Sequence, residues 1–364
     1  MLWSTFKYAD ERFPFPWNQL FLFFFRSGQA PLTLELADLN LGEDHMNVAS
    51  LLCNHQHRFK HVSIHFLKDE ITTGDMNEAI ELKNIPLLET LQLNMMCKTS
   101  PLRIQLQHAP CLTSLNLVVP YSVDFGDLIV PNLTDCVITQ KIEFMTVNDC
   151  LTLLRSCPAL INFSAETCFR GRQRVDFEDI YNPNLISFRL GCTESSASWS
   201  IMQRLRFPNL KRLSLLQNVF RGHVPGASAL ISRSQSLIES LELMSTSVDC
   251  IMQCLELSPN LERLSVSSCY EDGGANVRDV ILRLTLESGE RVCPRLKTIE
   301  FAYFDLSQHT GEIASMVKSR WHIEEGTRHL ESVVFRFCKV SAFPDLDHCR
   351  DEGLNIDIIA PGYP

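Results

Sequence analysis

The amino-acid sequence predicts an α/β fold in which short repeats stack along the chain, and three observations carry this prediction. A frame reading Pro-x-Leu-x-x-Leu-x-Leu, with conservative replacements, recurs ten times at spacings of 21 to 35 residues. Apolar and polar residues alternate within every frame, as they do in a half-exposed strand. Eight of the ten frames carry the proline. Because one such unit cannot bury its own apolar side, the pattern predicts a leucine-rich-repeat solenoid: a horseshoe with parallel strands on the concave face and helices on the convex face.

The apolar positions of the frames form three columns that we expect to be buried. The second and third columns follow the first by three and five residues, and all thirty positions are apolar. Of the twenty interleaved positions, only Val137 and Val334 are apolar, so these positions are expected to face solvent. The first column consists of Leu88, Leu112, Leu133, Leu160, Leu185, Leu210, Ile238, Leu261, Leu296 and Leu330.

Two further positions of the frame predict local structure at the two ends of each strand. A proline two residues before the first column should end the preceding helix and begin the strand, because it needs no donor to the ladder. After the strand, an Asn or Cys is expected to cap exposed backbone groups where the chain turns. The prolines are Pro86, Pro110, Pro131, Pro158, Pro183, Pro208, Pro259 and Pro294, and the capping residues are Cys168, Asn218, Cys269 and Cys338.

Residues 1–30 do not follow the frame and are predicted to be an N-terminal capping segment, with the solenoid over residues 31–364. Their main feature is a Phe-rich apolar run over residues 19–25. The run is far shorter than the roughly 20 residues that a bilayer requires. We interpret it as a buried capping helix; the alternative is the apolar region of a signal peptide, with Arg26 to Ala30 as the cleavage zone.

The remaining elements follow from local periodicity and capping signals. Alternation predicts strands over residues 31–36, 58–66 and 354–359. Asp44 is the expected cap of a helix over residues 44–53. Further amphipathic helices are predicted over residues 148–156, 227–234, 248–257, 277–286 and 311–321.

Composition limits the classes of function. The net charge of −10 and the pI of about 5.6 argue against a nucleic-acid footprint. The 14 cysteines are scattered and form no tandem Cys-x-x-Cys, which predicts reduced thiols in a cytoplasmic or nuclear protein without a membrane attachment.

No pattern for catalysis, a cofactor or a metal stands out. Ser, His and Asp occur without a nucleophile elbow, and Gly273-Gly274 lacks phosphate-binding spacing. Cys250 and Cys254, four apart on one helix, are predicted to pack in the core. We therefore expect neither an enzyme nor a cofactor. The spacing of the densest group of possible metal ligands matches no tetrahedral site, and period-two alternation places His61 and His65 of this group on a solvated strand face. The group consists of Cys53, His55, His57, His61 and His65.

The concave strand face is the candidate binding surface, and a protein target is its expected partner. Arginine suits bidentate recognition, so the hypothesis is an acidic or phosphorylated ligand. The alternative interpretation is a solvated face whose charges only maintain solubility. The candidate residues are Arg189, Arg212, Arg263, Glu166, Glu242 and Glu300.

Three stretches, Arg26 to Leu34, Leu51-Leu52 to Val62, and Met316 to Trp321, resemble the F-box and leucine-rich-repeat proteins of mushroom-forming fungi. Leu2-Trp3-Ser4 is similar to the tripeptide that closes the F-box in that family, so residues 1–30 would be a post-F-box segment.

The resemblance implies a substrate receptor whose F-box binds the Skp1-type adaptor of a cullin-type ubiquitin ligase while the repeats select the target. An F-box needs roughly 40 residues before Leu2, so adaptor binding is expected only if an F-box lies upstream; otherwise the chain is a truncated relative without adaptor binding. The alternative function is a secreted or membrane-attached repeat protein directed by the Phe-rich run.

Overall fold

The structure is a computed structural model. It describes residues 4–8, 17–39, 50–66, 80–95, 102–106, 109–118, 121–124, 130–139, 147–167, 178–192, 202–217, 226–268, 277–286, 292–321, 330–340 and 343–360. The chain forms two compact units, Met1–Arg170 and Gly171–Pro364, called unit 1 and unit 2 below.

Unit 1 is built on parallel strands. Seven of its ten described strands, β1, β2, β3, β5, β7, β9 and β10, form one parallel sheet in that order, and β4, β6 and β8 form a second. Helix α1 (Trp17–Ser27) follows β1, helical residues 50–55 precede β3, and α2 (Val147–Ser156) precedes β10. The strands are β1 (Thr5–Tyr8), β2 (Leu32–Leu39), β3 (Phe59–Phe66), β4 (Ile80–Leu82), β5 (Thr90–Met95), β6 (Leu102–Leu106), β7 (Ser114–Val118), β8 (Tyr121–Asp124), β9 (Asp135–Thr139) and β10 (Asn162–Thr167).

Unit 2 has the same plan with more helices. Its main parallel sheet has the order β12, β14, β15, β16, β17, β18, β19 among the described residues, and β11 pairs with β13 apart from it. The strands are β11 (Ile180–Tyr181), β12 (Ser187–Cys192), β13 (Leu205–Arg206), β14 (Arg212–Gln217), β15 (Ser240–Met244), β16 (Arg263–Ser267), β17 (Thr298–Ala302), β18 (Ser332–Arg336) and β19 (Asn355–Ile359). The helices are α3 (Gly226–Ser234), α4 (Val248–Glu256), α5 (Val277–Leu284), α6 (Thr310–Trp321) and α7 (Asp347–Asp351).

The predicted columns form the core of each unit. All thirty side chains are buried, and none is more than 4% exposed. Strand register aligns the columns: Leu213 lies between Phe188 and Leu241 on neighbouring strands, and Leu215 between Leu190 and Leu243. None of the twenty interleaved residues is buried. The predicted α/β class and the solenoid arrangement of parallel strands are therefore confirmed within each unit.

The prolines do not begin strands as predicted. They occupy the second position of a β-turn that is closed by the first-column residue, as in Leu88 N to Ile85 O at 3.2 Å and Leu210 N to Phe207 O at 3.1 Å. Proline presets the backbone angle that this position requires. The strand begins two residues after the first column, for example at Thr90 or Arg212.

One predicted capping residue can be checked. The Cys338 thiol is buried and donates to the carbonyl of Phe301, one repeat earlier, at 3.3 Å. This contact confirms the expected cap. The other three capping positions, Cys168, Asn218 and Cys269, lie outside the described residues.

In part of unit 1, short strands stand where the repeat pattern predicts helices. The strands β4, β6 and β8 alternate along the chain with β3, β5, β7 and β9 of the main sheet, and β4 and β6 bury Leu82 and Leu106. The first-column spacings here are only 24 and 21 residues, from Leu88 to Leu133. A repeat of this length leaves little room for a helix, whereas an extended segment covers the core with fewer residues.

The predicted helices of units 1 and 2 begin and end within two residues of their expected bounds, and α3 to α6 lie side by side. The predicted helix over residues 44–53 is described only over residues 50–55. Strand β1 was not predicted; it pairs in parallel with β2. It lies within residues 1–30, and the boundary that we placed at residue 30 stays a prediction.

The Phe-rich run forms α1, which is buried on one face only. Leu20, Phe23 and Phe24 are at most 5% exposed, and the Phe24 ring lies 6.1 Å from that of Phe59 on β3. Phe21 and Phe25 are exposed by 59% and 85%. The predicted capping helix therefore forms but is buried through one face only, because a run that is apolar on every side can offer only one face to the sheet.

Two of the stretches that carry the family resemblance meet in unit 1. The buried Arg58 guanidinium donates to Ser27 Oγ and to the carbonyl oxygen of Ala30, at 2.5 and 3.3 Å. Burial lowers the pKa of Arg58. Arg58 thus ties the end of α1 to the start of β3.

Candidate functional site

The candidate surface is the exposed side of each main sheet, formed by the outward side chains of its strands. We call these surfaces the unit 1 strand face and the unit 2 strand face. Parallel pairing arranges outward residues in rows that cross the strands. One row of unit 2 contains Arg189, Ser214, Glu242, Ser265 and Glu300, each aligned with the next.

Three members of this row form a polar cluster. Arg189 Nη1 lies 3.7 Å from Glu242 Oε2 although one strand separates them, and Ser214, on that strand, donates from its hydroxyl to the same carboxylate. Both charged side chains are 41% exposed. The pairing of two predicted residues is thus observed, and it holds an arginine and a glutamate at fixed positions on the unit 2 strand face.

Glu300 has a partner that sequence reasoning missed. Arg336 on β18 donates from Nε to Glu300 Oε1 at 2.8 Å, and this hydrogen bond raises the pKa of Arg336. Arg336 follows inward Phe335 and lies two positions beyond Val334 of the outward column. Extending the period-two alternation by one step would have found it.

Arg212 and Arg263 lie in the neighbouring row, which reads Ser187, Arg212, Ser240, Arg263, Thr298 across the strands. Both arginines are exposed. They are separated by two strand spacings, about 10 Å, with only Ser240 between them. Among the described residues, the Arg263 side chain makes no hydrogen bond or ion pair, so its guanidinium has its donors available for a ligand.

Glu166 is not part of this group. It lies at the end of β10 in unit 1, aligned with Thr139 of β9. Of the six predicted residues, the structure therefore places five on the unit 2 strand face and joins two of them directly, Arg189 and Glu242.

The unit 1 strand face contains a depression of about 530 Å³ that sequence reasoning did not single out. Strands β2, β3, β5 and β7 line it mainly with polar residues, including Glu35, His61, Ser63, Gln92, Ser114 and Asn116. The signal was present in the outward columns, where short side chains such as Ser63 and Ser114 stand among longer ones. Side-chain volume along a row, rather than charge alone, would have indicated the depression.

The histidines near this depression confirm the predicted alternation. His61 and His65 are half-buried on the strand face, while Val62 and Ile64 between them are buried. Within the described ranges, no group of three or more His, Cys, Asp and Glu residues has the geometry to hold a metal ion.

In the described part of the chain, ten cysteines form no disulfide bond. Cys250 and Cys254 are buried in α4, as predicted. The hydrogen bond between the two thiols lowers the pKa of Cys250, helped by backbone N–H groups of Ser228 and Ala227, and raises that of Cys254. Over the same ranges, no helix reaches the length and apolar character needed to cross a membrane.

Comparison with known proteins finds distant similarity to solved structures. No protein-family model matches the chain, and no curated protein matches it. The crystal structure of a Bacteroides fragilis protein, a structural genomics target, is 15% identical and has a TM-score of 0.36. The match covers 77% of this chain and 68% of that one. Each unit of the present chain is a parallel-strand repeat scaffold, an architecture that fits a role in protein interaction.

Proposed function

We propose that the protein is a non-enzymatic recognition scaffold that binds a protein target through its strand faces. The observation that carries this proposal is the separation of roles along each strand: every inward column is buried, while every interleaved residue keeps solvent exposure. A row of outward side chains can change its ligand preference without altering the core, which is how repeat proteins present binding surfaces.

On the unit 2 strand face, the proposed ligand is acidic or phosphorylated. The Arg263 guanidinium has no partner among the described residues, and exposed Arg212 lies about 10 Å away, so two guanidinium groups flank Ser240. Arginine binds carboxylate and phosphate groups in bidentate fashion. Attraction of this kind is screened by salt, so binding should weaken as ionic strength rises.

The family resemblance supports a finer proposal, that of an F-box-type substrate receptor of a ubiquitin ligase or a relative that lacks adaptor binding. Mixing a purified Skp1-type adaptor with a chain extended upstream to its gene's start tests the adaptor contact by gel filtration. Co-elution supports the receptor role. Separate elution of a folded extended chain would leave only the scaffold role.

Site-specific photo-cross-linking tests the scaffold role itself. We place a photoreactive phenylalanine at Ser265, on the unit 2 strand face, or at exposed Arg278 on α5, and irradiate in extracts of the source cells. A partner trapped from Ser265 and lost when Arg263→Glu is added supports the proposal. Equal trapping from both positions, or trapping that ignores Arg263→Glu, contradicts it.

A further inference from the structure

The depression on the unit 1 strand face is a site of its own, with no residue in common with the arginine rows of unit 2. Short side chains at Ser63, Thr90 and Ser114 create the space between longer neighbours. In the unit 2 row, by contrast, Arg189 and Glu242 reach over Ser214 and cover it. The unit 1 face therefore keeps room for a ligand among its outward side chains.

Two of the side chains that line this depression, His61 and Gln92, already contact neighbours within the protein. His61 Nδ1 lies 2.9 Å from Thr90 Oγ1, and its Nε2 lies 3.8 Å from Glu89 Oε2. Gln92 Nε2 lies 3.4 Å from His65 Nε2. Both ring nitrogens of His61 and the carboxamide nitrogen of Gln92 thus lie close to polar atoms of the protein.

One acceptor of the depression has no donor. The Oδ1 atom of Asn116, which lines the depression, is buried and receives no hydrogen bond from any described residue. Burying a carboxamide oxygen without a donor is unfavourable, so a ligand that donates at this position is favoured. At the Asn116 end of the depression, the buried group that lacks a partner is therefore an acceptor.

Glu35 supplies a negative charge at one end of the outward row that ends at Asn116. This row reads Glu35, Ser63, Gln92, Asn116 across the strands. Its carboxylate accepts from Lys7 Nζ at 2.7 Å, and the two side chains are 43% and 64% exposed. An ion pair this exposed contributes little to stability, so Glu35 can exchange Lys7 for a cation of a ligand. The net charge of −10 attracts such a ligand over longer distances.

The separation of these acceptors sets the length of the ligand. Glu35 lies on β2 and Asn116 on β7, three strand spacings apart, or about 14 Å. A single guanidinium cannot contact both groups. An extended peptide covers this distance with about four residues.

We propose that the depression binds an extended segment of a protein partner, with a basic side chain at Glu35 and N–H donors over Asn116. The inference rests on the proposed scaffold function, because the segment belongs to the protein target. It adds the chemistry of one contact: the unit 1 strand face selects a basic segment that crosses β2, β3, β5 and β7.

Saturation-transfer NMR with the full chain and three peptides tests this inference. The probes are acetyl-Gly-Arg-Gly-Ser-Gly-amide, its citrulline counterpart, which has the same shape without the charge, and its glutamate counterpart. We expect the arginine peptide to bind at least about fivefold more tightly than the citrulline peptide. Glu35→Gln should remove that preference, and Asn116→Ala should weaken both peptides about equally.

Glu262→Gln is the matched control, because Glu262 is 42% exposed and pairs with Lys297 Nζ at 2.8 Å on unit 2, away from the depression. This variant should keep the arginine preference. Equal binding of the three peptides, preference for glutamate, or an arginine preference that survives Glu35→Gln would overturn the inference. Partner trapping from Ser265 would then still support the scaffold function.

Discussion

Single arginine side chains hold neighbouring repeats together in this protein. Arg320, on α6, is 1% exposed, and its guanidinium donates to three carbonyl oxygens: Leu284 at 2.6 Å, Cys293 at 2.9 Å and Val292 at 2.8 Å. Burial lowers the pKa of Arg320 to about 10. Leu284 is the last residue of α5, whose terminal carbonyls have no partner within the helix. The guanidinium therefore caps α5 and fixes α6 against it.

Replacing Arg320 with Met should lower the free energy of unfolding by about 2–4 kcal/mol, because three buried carbonyls lose charged donors. Arg278→Met is the control. Arg278 is 53% exposed and pairs only with Glu312 among the described residues, so its loss should cost less than about 1 kcal/mol. Urea denaturation at pH 7 measures both values; similar effects of the two substitutions would refute the capping role.

The role of Arg320 could not be predicted from sequence. A basic residue in the last turn of a helix normally predicts a solvated side chain whose positive charge stabilises the C-terminus of its own helix. Here the helix that it caps is the preceding one. Only the packing of α6 against α5 brings Leu284, Val292 and Cys293 within reach of one guanidinium.

At the scale of elements, helix α1 shows that an all-apolar run does not specify which face of the helix is buried. The Phe-rich run predicted a buried capping helix but could not specify which of its faces is buried, because residues 20–25 are all apolar. Phe24 stacks on His55 with ring centroids 4.4 Å apart, while Phe25, the next residue, is 85% exposed. The two phenylalanines therefore form a natural matched pair.

Phe24→Ala should reduce the free energy of unfolding by about 3–5 kcal/mol, since it opens a cavity against β3. Phe25→Ala should change it by less than about 1 kcal/mol, because that ring buries little surface. Chemical denaturation followed by circular dichroism measures both. A Phe25→Ala variant as unstable as Phe24→Ala would show that α1 packs through its other face.

Strands and helices with a clear period were predictable, but their partners were less so. The predicted helices of unit 2, α3 to α6, are well placed because each has an apolar stripe at helical spacing. The second sheet of unit 1 was missed because strands such as Ile80–Leu82 are too short to show a period. Its formation depends on tertiary packing over the short repeats.

At the scale of the whole molecule, each strand separates stability from recognition. The sequence indicated which residues point outward, because alternation is local. It did not indicate which of them meet: Arg189 reaches Glu242 across an intervening strand, and Glu300 binds Arg336 rather than a predicted arginine. Such contacts depend on side-chain length and rotamer, which vary along a row of otherwise equivalent positions.

The central claim is that inward residues hold the repeats and outward residues select the partner, and the neighbours Arg263 and Leu264 on β16 test it directly. The measurement compares the free energy of unfolding with the cross-linking yield from Ser265 for the two alanine variants. Leu264→Ala should lose about 2–5 kcal/mol of stability. Arg263→Ala should stay within about 0.5 kcal/mol of the native chain and yet lose most of the cross-linked partner. A destabilised Arg263→Ala variant, or one that retains full cross-linking, would contradict the account.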